Sequence, residues 1–160
     1  MRAGVGFDIH RMKRGRPFLL AGGRIPHPAG PEGHCDADPL SHAVVDALLG
    51  AAALGDIGEH FPDSDPLWSG TSGPEFLRRA RALLAKAGWR PSNIDTTVFC
   101  ERPKLEPYKH RIAGAIAAAL GLPGPAVSVK AKTLEGLGAI GAGKAVAAQA
   151  VAMIARRPRR

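Results

Sequence analysis

The segment that most constrains the fold is residues 40–54, LSHAVVDALLGAAAL. Its apolar residues recur at spacings of three and four, which predicts an α-helix, and Gly55 directly after it provides a stop. The helix is expected to bury Val45, Leu48 and Leu49 on one face. It is the best-defined element of the chain.

Helical and strand-like segments alternate around this helix. We predict strands at residues 2–10, 18–21, 93–101 and 126–133, further helices at 74–87 and 107–120, and loops at 26–31, 55–73 and 136–143, with 145–155 compatible with either structure. The alternation indicates an α/β fold with α+β layering: a mostly β sheet on one side and helices on the other, in a ferredoxin-like arrangement. We predict a single catalytic domain over residues 1–160, with a disordered basic tail at 156–160.

The composition excludes several classes of protein. Hydrophobic residues make up 45% and charged residues 22% of the chain, which is ordinary for a soluble globular domain. No apolar run approaches the roughly 18 residues of a membrane helix, so we expect a cytoplasmic protein without membrane contact. The net charge of +8 lies largely in a helical face and the tail, without interleaved aromatic residues, so nucleic acid is not an expected partner. Cys35 and Cys100 lack CxxC spacing and are expected to be free thiols.

A candidate metal site starts in GFDIH, where Asp8 and His10 are two residues apart on a predicted strand and leave the same face. His42 and Asp46 lie one turn apart on the apolar helix. This pair has two readings: a buried hydrogen bond, or a third metal ligand with Asp46 orienting it. Two histidines and one carboxylate with an open position form the pattern of catalytic zinc.

Other polar clusters carry weaker signals. In GHCDAD, Cys35 is a competing ligand without a second cysteine nearby. The carboxylates of GDIGEHFPDSDP either accept substrate hydroxyls or cap turns. Lys104 follows a proline at a strand end, where backbone groups can read a base edge. KAKTLEGLG combines Lys132, Thr133 and Glu135 ahead of glycines, which suits phosphate binding with a carboxylate for Mg²⁺ or Mn²⁺.

Taken together, GFDIHR, GRIPH, GHCDAD, SHAVVDALLGAAALGDIGEHFPDSDP, NIDTTVFCERPK and KTLEGLG resemble the family of 2-C-methyl-D-erythritol 2,4-cyclodiphosphate synthases nearly end to end. The resemblance implies a cyclising lyase of the non-mevalonate isoprenoid route. Its substrate would be 4-diphosphocytidyl-2-C-methyl-D-erythritol 2-phosphate, and its products the cyclic diphosphate and CMP. The resemblance also implies a homotrimer with active sites between subunits.

The same resemblance assigns roles to residues. Asp8, His10 and His42 match zinc ligands, Glu135 matches the carboxylate facing a second divalent ion (Mg²⁺ or Mn²⁺), and His34 and Thr133 match residues that stabilise the transition state. The expected substrate-binding residues are Asp8, Ile9, His10, His34, Cys35, Asp56, Ile57, Gly58, Phe61, Pro62, Asp63, Ser64, Asp65, Cys100, Glu101, Arg102, Pro103, Lys104, Leu105, Glu106, Lys132, Thr133, Leu134 and Glu135.

The chain departs from the family pattern in one run. The usual FTGRGEG reads AIGAGKA here, so Ala139, Ala142 and Lys144 replace an aromatic residue, an arginine and a glutamate. Lys132 stands where relatives commonly have a small polar residue, and we expect it to contact a substrate phosphate. Two alternatives remain at this point: a zinc-dependent phosphohydrolase, in which the metal activates water, and a basic nucleic-acid-binding module.

Overall fold

A five-stranded sheet organises the chain, of which the computed structural model describes residues 1–157. The strands are β1 (Arg2–Arg14), β2 (Phe18–Leu20), β3 (Gly23–Ile25), β4 (Ala29–Pro31), β5 (Trp89–Phe99), β6 (Val127–Lys132) and β7 (Ala145–Arg156). The sheet has the order β4-β1-β7-β5-β6, while β2 and β3 form a separate hairpin. Only the pairing of β5 with β6 is parallel; the other described pairings are antiparallel.

Helices cover one face of this sheet. They are α1 (Pro39–Ala52), α2 (Ile57–His60), α3 (Gly73–Lys86), α4 (Lys109–Leu120) and α5 (Gly138–Gly141), with 3₁₀ turns at Pro66–Trp68, Glu106–Tyr108 and Gly124–Ala126. Helix α1 packs on β1 and β7 at the centre of the core. The predicted layered domain, with the sheet on one side and helices on the other, is confirmed. None of the helices within residues 1–157 has the length and hydrophobicity that a transmembrane span requires.

The alternation of side chains along β1 separates two environments. Gly4, Gly6, Asp8 and His10 face α1, whereas Val5, Phe7 and Ile9 lie on the opposite face. These three apolar side chains are 62%, 56% and 49% exposed, and Val151, the register partner of Val5 on β7, is 42% exposed. We call this surface, defined by Val5, Phe7, Ile9 and Val151, the open sheet face.

Asp38 fixes the start of α1. Its fully buried carboxylate accepts the amide N–H groups of Leu40 and Ser41 at 3.0 and 3.2 Å and the Ser41 hydroxyl at 2.6 Å. It also accepts the amide of Ala21 at 2.5 Å, which ties the helix to the end of β2. This cap satisfies the otherwise unpaired first-turn donors and determines where His42 falls along the helix.

Several predicted boundaries need correction. The predicted loop at 26–31 contains β4, because residues 29–31 pair with the long β1, which extends four residues past the predicted end at His10. The predicted turns at 55–73 and 136–143 include α2, a 3₁₀ turn and α5. The ambiguous segment 145–155 is a strand, since β1 and β5 pair with it on both sides.

The tail predicted to be disordered was placed at residues 156–160, but its first two residues have defined positions in the structure. Arg156 is the last residue of β7, and its guanidinium lies 4.1 Å from the Trp89 ring centroid. The amide of Arg157 donates to the carbonyl of Gly88 at 3.0 Å. The rest of that tail, residues 158–160, lies outside the described residues.

The closest approach between α1 and β1 occurs at two glycines. A Cβ added to Gly4 would lie 2.1 Å from the carbonyl oxygen of Ala47, and one added to Gly6 would lie 2.0 Å from that of Ala43. Only a strand without side chains at these positions lets the helix backbone come this near. The contact lies directly before Asp8 on the same face of β1.

We therefore expect Gly6→Ala to lower the free energy of unfolding by about 3 kcal/mol or more, since the clash involves helix backbone rather than a flexible side chain. The matched control is Gly50→Ala, an exposed position of α1 where an added Cβ meets nothing within 4 Å. That substitution should raise stability by about 0.5–1 kcal/mol. Urea unfolding measures both, and equal stability of Gly6→Ala and the parent chain would contradict the packing argument.

Candidate metal centre and adjoining cavities

Three side chains converge where β1 meets α1. Oδ2 of Asp8 lies 2.9 Å from Nε2 of His10 and 2.9 Å from Nδ1 of His42, and these two nitrogens are 3.3 Å apart. Because side chains alternate along a strand, Asp8 and His10 lie on the same face of β1. The close approach of α1 to β1 at the two glycines places His42 over that face. The structure thus assembles the predicted metal ligands from two elements.

Neighbouring groups hold both imidazoles in orientation. The backbone carbonyl of Glu32 lies 2.9 Å from Nδ1 of His10 and accepts its proton, so that Nε2 points into the cluster. The ring of His42, only 8% exposed, packs edge-on against Phe76 of α3 with centroids 5.7 Å apart. A ligating histidine needs this kind of support, because its second nitrogen fixes tautomer and ring orientation.

The three groups perturb one another's protonation. Burial would raise the pKa of Asp8, but hydrogen bonds and charge from both histidines hold this pKa well below its usual range. Burial would lower the pKa of His42, yet hydrogen bonds with Asp8 and Cys35 outweigh it and raise the pKa to about 10. The pKa of His10 is also raised, because the hydrogen bond with Asp8 outweighs its burial. The carboxylate of Asp8 thus favours positive charge on both rings, and a bound metal cation would supply that charge instead.

The donor set fits a divalent metal ion. Around a tetrahedral zinc with ligands at 2.0–2.1 Å, donor atoms are about 3.3 Å apart, close to the 2.9–3.3 Å separations here. Three protein donors leave one position open for substrate, as catalytic metal sites require. Asp8, His10 and His42 would therefore hold the ion, and such an ion would supply positive charge to an anionic ligand.

Asp46 was predicted to orient the ring of His42, but its recorded hydrogen bond is with a different group. Oδ1 of Asp46 accepts the amide N–H of Ile57 at 2.8 Å and so anchors the start of α2. The Nε2 atom of His42 instead lies 3.2 Å from Sγ of Cys35. In the described part of the chain, the hydrogen-bond partners of the His42 ring are Asp8, His10 and Cys35.

A cavity of about 360 Å³ opens beside the three donors, and we call it the metal-side cavity. Its lining comprises Asp8, His10, Gly33, His34, Cys35, His42, Asp46, Ile57, Gly58, Phe61, Pro62, Asp63 and Phe76. Predicted substrate residues from three separate stretches thus meet in one place. Gly33 and Phe76 were not predicted; the recurrence of Phe76, Leu77, Ala80 and Leu84 on α3 was the available signal for the second.

Two of the acidic residues in the loop after α1 cap turns. Asp56 accepts the amide of Glu59 at 3.0 Å at the start of α2, and Asp65 accepts that of Leu67 at 3.0 Å in the following 3₁₀ turn. Asp63 lines the metal-side cavity. The structure therefore shows turn capping for two of these carboxylates. Contact with substrate hydroxyls stays a prediction for Asp63.

A second cavity, of about 390 Å³, lies where β5 and β6 end, and we call it the strand-end cavity. Its lining comprises Cys100, Pro103, Lys104, Leu105, Glu106, Ala131, Lys132, Thr133 and Glu135. Glu101 supports its wall by accepting the amide of Leu134 at 3.1 Å. Burial raises the pKa of the Cys100 thiol to about 12, and its sulfur donates to the carbonyl of Arg102 at 2.9 Å.

The two cavities share no lining residue. The strand register shows how far apart they are. Ile9 of β1 pairs with Ala147 of β7, and Ala147 pairs on its other side with Phe99 of β5. Phe99 pairs in turn with Lys132 of β6. Three strand spacings separate β1 from β6, or about 14 Å. A single chain therefore brings the predicted metal ligands together and the predicted Thr133–Glu135 group together, but holds the two sets apart.

Comparison with known proteins assigns the chain to a family. Residues 1–155 match the model of the YgbB family. A 2-C-methyl-D-erythritol 2,4-cyclodiphosphate synthase of Dechloromonas aromatica (strain RCB) is 50% identical over 155 residues, covering 97% of this chain and 97% of that protein. The synthase of Salinibacter ruber is 52% identical over 154 residues, covering 96% and 98%. A solved synthase structure, described as a bound form with CDP, is 39% identical with a TM-score of 0.88, covering 96% of this chain and 100% of that one.

Asp8→Asn tests the metal centre, since it keeps the size of the side chain and removes the charge. We expect affinity for zinc to fall by more than about 100-fold, because even an outer partner of a ligand contributes 10–100-fold. The control is Glu75→Gln, which removes one carboxylate from an ion pair on the surface of α3. Competition with a chromophoric chelator measures both, and unchanged affinity of Asp8→Asn would remove this cluster as the binding site.

Proposed function

We infer that this chain, which belongs to the YgbB family, is a 2-C-methyl-D-erythritol 2,4-cyclodiphosphate synthase. It converts 4-diphosphocytidyl-2-C-methyl-D-erythritol 2-phosphate into the cyclic diphosphate and CMP, a step of the non-mevalonate isoprenoid pathway. The enzyme is a cyclising phosphorus–oxygen lyase. The observation that carries this function is the near-complete match to such synthases, with about half of all positions identical.

The reaction sets an electrostatic problem. An oxygen of the 2-phosphate attacks the β-phosphorus of the diphosphate, the new P–O bond closes the ring, and the bond to CMP breaks with the electron pair leaving on CMP. Two unit charges of like sign repel by about 4 kcal/mol at 4 Å and an effective dielectric constant near 20. The attacking group belongs to the substrate, so the protein has to position it and balance charge rather than supply a nucleophile.

The residues at the metal centre would meet that requirement. Asp8, His10 and His42 would hold zinc, and Glu135 would face a second divalent ion, Mg²⁺ or Mn²⁺, near the diphosphate. Such ions supply Lewis acidity and positive charge to the phosphate oxygens when bound. The mutual distances of the three donors and their position at the mouth of a cavity support the first site.

The remaining residues would hold and orient the substrate. His34 and Thr133 would stabilise the transition state, and Lys132 would contact a phosphate. Residues 56–58 and 61–65 would hold the methylerythritol part, and residues 100–106 the cytidine. In support, His34 lines the metal-side cavity, while Lys132 and Thr133 line the strand-end cavity together with much of the 100–106 segment. The CDP described for the solved relative supports a cytidine nucleotide as ligand.

The separation of the two cavities supports an active site shared between subunits. The substrate carries its cytidine and its diphosphate in one molecule, so it has to contact both sets of residues. We propose a homotrimer in which the strand-end cavity of one copy meets the metal-side cavity of the next. Within one chain these cavities share no residue.

The open sheet face supports the same assembly. Val5, Phe7, Ile9 and Val151 project from adjacent strands as an exposed apolar surface. Monomeric proteins rarely leave contiguous apolar surface of this kind in water. Around a threefold axis, three such faces would cover one another.

The altered run borders this face. Ala139 and Lys144 line a cavity of about 840 Å³ together with Ile9, Arg11, Met12 and other residues. The amide of Met12 donates to the carbonyl of Lys144 at 2.9 Å, which fixes the lysine beside β1. We propose that Lys144, with Lys132, supplies positive charge where the chain lacks the family's arginine at position 142. Two unpaired cysteines support a reducing compartment, and we propose the cytoplasm.

The function is tested by incubating the purified protein with the cytidine-diphosphate substrate, Zn²⁺ and Mg²⁺ in ¹⁸O-labelled water, followed by ³¹P NMR and mass spectrometry. We expect CMP and the cyclic diphosphate in equal amounts, without solvent oxygen in either product. Linear phosphates carrying ¹⁸O would instead indicate a phosphohydrolase. Asp8→Asn should release no CMP, while Glu75→Gln should match the parent chain.

Phe7→Asp tests the assembly, because it places a charge at the centre of the open sheet face without touching the helix-covered core. We expect sedimentation velocity to show a shift from trimer to monomer, unchanged circular dichroism, and loss of synthase activity. Leu67→Asp is the control, since Leu67 is equally apolar and 68% exposed but lies on a 3₁₀ turn. A Phe7→Asp protein that remains trimeric would contradict the proposed interface.

A further inference from the structure

The His42 ring is held from both sides. Its Nδ1 atom lies 2.9 Å from Oδ2 of Asp8 and 3.3 Å from Nε2 of His10. Its Nε2 atom lies 3.2 Å from Sγ of Cys35. The two ring nitrogens point in different directions, so the sulfur lies on the side of the imidazole away from the other donors.

The sulfur is itself fixed by the loop before α1. Sγ of Cys35 accepts the amide N–H of Ala37 at 3.3 Å. Ala37 has a left-handed backbone with φ of 55°, and the next residue, Asp38, caps the helix that carries His42. The thiol therefore lies on the short segment that leads into α1, and the hydrogen bonds of this segment place it beside the imidazole.

This placement has a consequence for the tautomer of His42. A neutral imidazole that ligates an ion through Nδ1 carries its remaining proton on Nε2, and that proton needs an acceptor. Carboxylates and carbonyls usually serve, as the Glu32 carbonyl does for His10. At Nε2 of His42 the described structure offers the sulfur of Cys35, whereas the recorded hydrogen bond of Asp46 is the one from the amide of Ile57 to its Oδ1 atom.

We propose that Cys35 is a positioning residue for the metal centre: its sulfur accepts the Nε2 proton of His42 and presents the Nδ1 lone pair to the ion. Cys35 is then neither a ligand nor a nucleophile in the reaction. The proposal rests on the proposed metal role of His42, and it assigns to a thiol the function that the sequence had suggested for Asp46.

The test compares Cys35→Ser and Cys35→Ala with the parent chain, using zinc affinity measured by chelator competition. Cys35→Ala should weaken zinc binding on the order of 10–100-fold, the usual effect of losing an outer partner. Cys35→Ser should restore most of the affinity, because a hydroxyl oxygen accepts the same N–H. Cys100→Ser, which alters the other thiol of the chain, should bind zinc as tightly as the parent.

Cobalt substitution separates positioning from ligation. We expect visible d–d bands typical of a nitrogen–oxygen donor set in the parent and in Cys35→Ser, without a sulfur-to-cobalt charge-transfer band. A charge-transfer band that disappears in Cys35→Ser would make the thiol a ligand and overturn the proposal, as would unchanged zinc affinity of Cys35→Ala. If the parent chain bound neither zinc nor cobalt, both the role of Cys35 and the metal centre would be overturned. This outcome differs from failure of the Cys35 proposal alone, in which the parent chain binds the ions and only the behaviour of the variants departs from expectation.

Discussion

The approach of α1 to β1 at Gly4 and Gly6 is the contact on which the rest of the structure depends. Two strand positions without side chains let the helix backbone settle against the strand, and the next two residues on the same strand face are Asp8 and His10. His42 reaches both because the helix lies this close and because the Asp38 cap sets its register. Packing and chemistry are thus joined in one interface: the glycines and the cap determine the distances among the three donors.

Sequence patterns predicted most of this framework. The helices at α1, α3 and α4 followed from apolar spacing and from glycines at their ends, and each boundary was within two residues. The missed strand, β4, is three residues long and contains a glycine and a proline, so its identity comes from pairing with β1 rather than from its own composition. The alanine-rich sequence of β7 likewise did not distinguish a helix from a strand. It is a strand because it pairs with β1 on one side and β5 on the other.

Some residues of the candidate site could be predicted from sequence patterns, and others could not. Periodicity alone placed Asp8 with His10, and the helix supplied His42. The partner on the far side of His42 was assigned to Asp46 because it lies one helical turn away, but the preceding loop delivers Cys35 there instead. Loop conformation, including the left-handed Ala37, has no periodic signal. The roles of residues 100–106 and 132–135 came from family resemblance, since spacing within each segment does not specify a ligand.

The division of the proposed substrate-binding residues between two cavities has a genetic consequence. In the proposed trimer each active site draws its metal side from one copy and its strand end from another. Two inactive alleles, one damaged at the metal side and one at the strand end, would then form mixed trimers containing some sites assembled only from undamaged halves. Such alleles would complement each other in one cell, whereas two alleles damaged on the same side would not.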